Sequence, residues 1–226
     1  MSSLIKEFKL EKKVNMIVVD GGANVCKAAE LLEEEYPDLM VSKCACHILN
    51  NITKGILTDK LDEYIDELED DYSIEGEDEE FKELINHILC QQFSDTVEKC
   101  KNLCNHFSHS VKSSELLKAN LQKYCAMGYT KLIQPNITRW NSTFFCLTRI
   151  LECKDALEYT FLSLKKIPDT KDFHLTEEDF KKIKLMINLL KPFQVASLSL
   201  QEEEVTYSKI VPSIVHIYYK LNVSIF

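Results

Sequence analysis

Asp20 closes a short, mostly apolar run from Val14 to Val19 and is followed at once by Gly21 and Gly22. A carboxylate at the C-terminal end of a buried parallel strand stands where open α/β sheets bind ligands. It could hold a divalent cation that favours oxygen ligands. The alternative is that Asp20 only shapes the turn or caps the next helix. The dinucleotide-binding pattern G-x-G-x-x-G is absent from Asp20-Gly21-Gly22.

A second group, Cys44-Ala45-Cys46-His47, offers soft ligands. Structural zinc needs four ligands, usually from two separated pairs. The other Cys/His cluster is Cys100, Cys104, His106 and His109, without the intervening loop of a zinc finger. Cys100 and Cys104 also share an apolar stripe with Val97 and Phe107, which favours buried thiols. Cys44 and His47 could share one helical turn as nucleophile and base, but no third, orienting group is identifiable.

The third group is Thr138-Arg139-Trp140-Asn141-Ser142-Thr143, which holds the only tryptophan and one of the only two arginines. The other arginine, Arg149, lies ten residues on. Trp140 shares helical spacing with Phe144, Leu147 and Leu151, the pattern of a core residue. At a helix start after a proline-containing loop, its ring could instead stack on an unpaired base. Arg139 could then grip a phosphate with both nitrogens, with Arg149 on roughly the same side.

Charge bears on that choice. The formal net charge is −9. Residues 59–83 hold fourteen acids and two lysines, a local charge of −12, so the rest of the chain carries +3. Between Lys112 and Arg139 there are five basic residues and one acid, Glu115. A local basic surface near the tryptophan motif is compatible with this distribution, as is a solvated face of mixed charge.

At 226 residues the chain is one large domain or two small ones, long enough to bury a core. No apolar run approaches the roughly 18 residues of a membrane span, and the N-terminus lacks a signal-peptide core. Nine cysteines, an odd number without a small-domain framework, fit free buried thiols in a reducing compartment, cytosol or nucleus.

The elements that must position these groups read as follows. Val14–Val19 and Leu39–Ser42 are short strands, and the helix between them, carrying Val25, Ala28, Ala29, Leu32 and Tyr36, makes them a parallel pair with a crossover. Ile48, Leu49, Ile52 and Ile56 continue as a helix. Beyond about residue 58 only helical spacing recurs. An acidic linker occupies about 70–80, and a loop runs from Met127 to Ile137. Thr176 and Asp179 form a capping box, Pro192 is expected to end or kink the helix it lies in, and a last helix covers about Ile210–Leu221. Two short strands do not make a stable sheet alone. The α/β piece is therefore expected to belong to a larger sheet, with both ends of the chain cut from a longer protein.

Taken in order, the motifs resemble the hAT (hobo–Activator type) superfamily of DNA transposases and its domesticated relatives. Val18-Val19-Asp20-Gly21-Gly22-Ala23-Asn24 is similar to that family's strand-end aspartate, small-residue turn and asparagine. Cys44-x-x-His47 followed by Ile48-Leu49-Asn50 resembles its Cys-x-x-His motif. Thr138 to Thr143 resembles its Arg-Trp motif, with Leu147, Arg149 and Leu151 in the helix beyond. Leu189-Leu190-Lys191-Pro192-Phe193, then Thr206-Tyr207-Ser208 and Pro212, is similar to the stretch that follows. One departure is Gly21-Gly22, where the family more often has asparagine and a small residue.

The resemblance implies an α/β fold, an incomplete RNase H-like core over residues 1–58, interrupted by a large all-α insertion over 59–226. It implies Mg²⁺- or Mn²⁺-assisted DNA cleavage by three acids, of which Asp20 matches the second and no position matches the other two. Cys44 and His47 would lie near that active site, and Arg139, Trp140 and Arg149 would contact transposon-end DNA. The chain is thus expected to be a hAT-type fragment, DNA-binding in origin and unable to cleave alone, with no productively bound metal. The alternatives are a domesticated DNA- or protein-binding factor without chemistry, and an unrelated α/β protein using Cys44, Cys46 and His47 for metal. The resemblance also implies nuclear residence. The family's N-terminal zinc-finger module (BED-type in relatives) and its C-terminal dimerisation segment match nothing here, and no membrane contact is expected.

Overall fold

The computed structural model describes residues 2–10, 12–63, 83, 86, 88, 90–136, 140–164, 173–201 and 207–225. The acidic linker at about 70–80 and Arg139 lie outside the described residues. Most of the described chain is helical, with one two-stranded sheet.

The N-terminal part is a short helix, α1 (Ser2–Glu7), then β1 (Met16–Val19), α2 (Ala23–Glu35) and β2 (Met40–Lys43). The two strands pair in parallel, from Met16 opposite Met40 to Val19 opposite Lys43, as the alternation of apolar runs and helical spacing predicts. α2 buries Ala29 and Leu32, one turn apart by side-chain spacing, and it stops where Pro37 follows Tyr36. Ile5, Leu32 and Leu39 form a small core, with Leu10, Val14, Ile17 and Tyr36 packed against it. Val18 and Met40 remain exposed, so part of this sheet has no apolar cover among the described residues.

The helical body begins with α3 (Ala45–Thr58) and continues through α4 (Ser94–His109), α5 (Val111–Tyr124), α6 (Trp140–Glu152), α7 (Lys154–Leu164), α8 (Glu177–Leu200) and α9 (Ile210–Ile225). No strand occurs among the described residues beyond β2. The stripe on α6 is buried at Trp140, Phe144, Leu147 and Ile150, as a period of 3.6 dictates. Leu103, Leu121, Leu147, Ile150, Leu157, Ile183 and Leu190 are sealed from solvent in one continuous core. Burial of each such side chain contributes about 1.5–3 kcal/mol, and Leu147→Ala would cost about 2–5 kcal/mol.

α3 joins the two parts. It lends Leu49, Ile56 and Leu57 to the large core and packs against α6 and α8, while its first turn stands at the end of β2. Thr176 and Asp179 form the expected capping box at the start of α8. Pro192 does not end that helix, which runs on to Leu200. Proline at 192 removes one backbone donor at a cost of about 3 kcal/mol. Its neighbours Leu189, Leu190 and Phe193 are buried on either side, and their packing carries the helix through.

Candidate nucleic-acid interface

The parallel register places the ends of β1 and β2 side by side, and this gathers two of the three motifs. The Cys44 N–H donates to the Val19 carbonyl at 2.7 Å, extending the ladder one residue past Lys43. Asp20 folds back on its own turn: its Oδ1 accepts the Gly22 N–H at 3.2 Å, an aspartate turn of the ordinary kind. The Cys26 thiol reaches the Asp20 carbonyl at 3.7 Å. His47, in the first turn of α3, stands close to Gly21. A methyl group on Gly21 would stand 3.0 Å from His47 Cδ2 and 3.1 Å from Nε2. Gly21 is thus a close-approach glycine between strand end and helix. Residues separated by more than twenty positions in sequence meet here.

Asp20 is solvent-exposed, and one of its oxygens is already engaged by Gly22. Among the described residues no group of three or more His, Cys, Asp or Glu side chains is placed to hold a metal ion. A divalent cation that favours a cage of oxygens therefore finds a single carboxylate here. That one carboxylate, among the described residues, does not by itself fit such an ion.

The tryptophan motif is arranged differently from a surface stacking platform. Trp140 is only 4% exposed and meets Phe144 edge to face, with ring centroids 6.2 Å apart. Stacking of its indole on a base would require the first turn of α6 to open. Ser142 secures the preceding loop, accepting the Asn136 N–H at 2.7 Å and donating to the Asn136 carbonyl at 2.8 Å. Gln134 ties the same loop to Ser108 and Asn105 of α4.

Arg149 is also occupied. Its guanidinium lies 3.3 Å over the Tyr129 ring, and Nη1 donates to the Lys131 carbonyl at 3.0 Å. Tyr129 in turn donates to Glu152 at 2.9 Å. The sequence expectation of a phosphate contact at Arg149 meets a side chain used to hold the loop against α6.

The second cysteine and histidine cluster does not gather. Cys100 and Cys104 face the core, and Cys104 Sγ stands 3.5 Å from Cys146 Sγ. Burial, with Cys104 nearby, pushes the Cys100 thiol well up. The hydrogen bond with Cys104, then burial, does the same for Cys146. Burial beside Cys125 pushes Cys153 up to about 12. Such thiols stay protonated and inert at neutral pH. His106 instead bonds Ser113 Oγ at 2.9 Å and stacks on Phe173 at 4.2 Å. All nine cysteines are free.

Two anchors escape sequence reasoning. Lys99 reaches Asp179 at 3.0 Å, and Tyr129 forms the platform under Arg149. Both join residues distant in sequence, and no local pattern marks them.

The comparisons with known proteins agree with the helical character of this region. A family model described as the ZBED1 RNase-like helical domain matches residues 42–189. That span starts within β2, so it contains Cys44 and His47 but leaves Asp20 outside. The mouse zinc finger BED domain-containing protein 6 is 24% identical over 140 residues, which is 61% of this chain and 14% of that protein. The human protein of the same name is 24% identical over 136 residues, covering 59% of this chain and 13% of its own length. The match thus spans about a seventh of these curated relatives. No solved structure matches significantly.

Proposed function

The chain belongs to the ZBED1 RNase-like helical domain family, and from that premise we propose that it is a transposase-derived segment of hAT type that contacts DNA without cleaving it alone. The observation that carries this reading is the meeting of the Asp20-Gly21-Gly22 turn with the helix start at Cys44 and His47. Two motifs of the hAT resemblance, one inside the matched residues and one outside, form a single local structure.

In this reading the DNA contact falls to Arg139 and the lysines that lie between residues 112 and 131. Trp140 and Arg149 act as positioning residues: Trp140 anchors the start of α6 in the core, and Arg149 holds the loop at Tyr129 and Lys131 against that helix. Asp20 supplies one carboxylate where the resemblance calls for three, so the chain binds and does not cut. Nuclear residence follows from the same reading. The relatives carry a zinc finger BED domain by name, and such a module would add DNA affinity of its own. That similarity also favours a second reading, a domesticated factor that has kept the binding surface for DNA or a protein partner and lost the chemistry.

The test is binding of the purified chain to a labelled DNA hairpin with an unpaired base, followed by fluorescence anisotropy. Affinity should fall as salt rises, because phosphate neutralisation releases counterions. Arg139→Ala should weaken binding and flatten the salt dependence. Absence of binding at low salt sinks the DNA contact. Nicking of the hairpin with Mg²⁺ or Mn²⁺ that is lost in Asp20→Ala sinks the non-cleaving assignment.

A further inference from the structure

The outer face of α8 changes character halfway along the helix. Lys181, Lys184, Asn188, Lys191, Val195 and Leu198 recur at three- and four-residue spacing, which puts them on one stripe. All of them are exposed, Val195 at 45% and Leu198 at 55%. The opposite face, with Ile183, Met186 and Leu190, is sealed in the core and fixes the stripe outward. The first half of the stripe is basic. Lys181 pairs with Glu178 at 3.3 Å, whereas among the described residues Lys184, Asn188 and Lys191 make no hydrogen bond or ion pair. The other acid exposed at the helix start, Glu177, is engaged by Lys154 at 2.6 Å. The second half is apolar. From Lys181 to Leu198 the stripe runs about 25 Å, at about 1.5 Å per residue.

We propose that this stripe docks an amphipathic helix of a partner protein, with carboxylates at one end facing Lys184 and Lys191 and apolar side chains at the other covering Val195 and Leu198. Charge complementarity selects the occupant. A second copy of the chain, pairing through the same stripe, brings lysines and apolar groups but no free carboxylate, so its cations meet like charge or hydrocarbon. Nucleic acid satisfies the lysines through its phosphates, but it sets Val195 and Leu198 against a polyanion. A partner that is acidic and then apolar along its length uses both halves. A helix suits a straight helical face, because the side-chain rows of one pack into the grooves of the other.

The two halves contribute differently. Lys184 and Lys191 steer the acidic end and fix the direction in which the partner lies, and salt screens that attraction. Val195 and Leu198 are covered by apolar contact, which salt does not weaken. Lys181 adds least, because Glu178 already holds it. This surface stands apart from the DNA contact at Arg139 and the lysines of residues 112–131, none of which belongs to α8.

Fluorescence anisotropy of a labelled synthetic peptide against the full chain tests the proposal, with no DNA present and so independently of the DNA-contact reading. The probe is an alanine-based helix with glutamates at three-and-four spacing in one half and leucines on the same face in the other. The control has the same composition with its acidic and apolar residues scrambled. The expected result is binding of the probe about tenfold or more tighter than of the control, weakening but persisting as salt rises. The double variant Lys184→Glu/Lys191→Glu should weaken binding about tenfold or more. Leu198→Gln should weaken it about threefold or more. Both should keep the parent's far-ultraviolet circular dichroism, since the altered side chains are exposed. Equal binding of probe and control overturns the proposal, as does no binding of either. So does an affinity that the double variant leaves unchanged. Duplex DNA that displaces the probe, with DNA affinity lost in the double variant and probe affinity untouched by Leu198→Gln, assigns the stripe to nucleic acid and also overturns it.

Discussion

The carboxylate of Asp59 accepts the backbone N–H groups of Phe93 at 2.7 Å and Ser94 at 2.9 Å. A residue in the left-handed conformation at the end of α3 thereby caps the start of α4, 34 positions along the chain from Phe93. The residue in the capping position of α4, Phe93, has no side chain able to do this. The capped ends lie on either side of the acidic segment, so one carboxylate joins the body of the molecule across it. Asp59→Ala should cost about 1–2 kcal/mol. Asp59→Asn, which tolerates the same backbone conformation and keeps one acceptor, should lose less. Chemical denaturation of the three proteins checks the order, and equal stabilities would refute the capping role.

The contact between Gly21 and His47 makes a second prediction. A methyl group at Gly21 falls 3.0 Å from the imidazole, which is tighter than ordinary packing allows. Gly21→Ala should therefore destabilise the chain by about 1–3 kcal/mol. In His47→Ala the added methyl meets open space, so the same glycine substitution should cost much less. A double-mutant cycle measures the coupling. Additive effects would show that the strand-end turn and α3 do not touch.

Trp140 is the only tryptophan, so its fluorescence reports one site. Buried against Phe144, it should emit at short wavelength and resist acrylamide quenching until the protein unfolds. Trp140→Ala should cost about 3–5 kcal/mol, and DNA affinity should fall no further than the loss of folded protein accounts for. An indole that is freely quenched in the folded chain would place it on the surface and restore base stacking as its role.

Stability should fall in two steps as the solution is acidified. Burial pushes the His106 imidazole below its usual value. Its unfolded form takes up a proton first, so stability is lost as pH falls from about 6.5. Asp179 follows. Burial alone would raise its carboxyl, but hydrogen bonds from Thr176 and Lys99 prevail and hold it below the usual carboxylate range. That contribution is fully present above about pH 4 and is lost as pH falls through the lower folded value. His106→Gln should remove the first step and leave the second. Denaturation midpoints measured against pH, with a single step in the parent, would contradict this assignment.

The strand ends, the helix faces and the capping box of α8 are legible in the sequence because each is a local matter. Two apolar runs joined by a helical spacing force a parallel pair, and Thr176 with Asp179 satisfies a helix end within one turn. The thiols of Cys100 and Cys104 announce their burial by falling on a stripe with Val97 and Phe107. Local rules leave Pro192 to end or kink its helix; the helix does not end there, and packing on both sides of the proline outweighs one lost hydrogen bond.

Tertiary structure decided the rest, because long-range partners leave no local trace. The sequence by itself holds both readings of Trp140, core anchor or base platform, and only its packing into the large core beside Phe144 places the ring inside. It offers Arg149 as a DNA contact on the same side as Arg139, and the fold stacks its guanidinium over Tyr129 and bonds it to the Lys131 carbonyl. Asp20, Cys44 and His47 are separate motifs along the chain; the parallel register of four residue pairs is what sets them side by side. The physical reason is common to all three cases. Residue type and spacing determine which groups can bury or bond, while packing density determines which partner each one reaches.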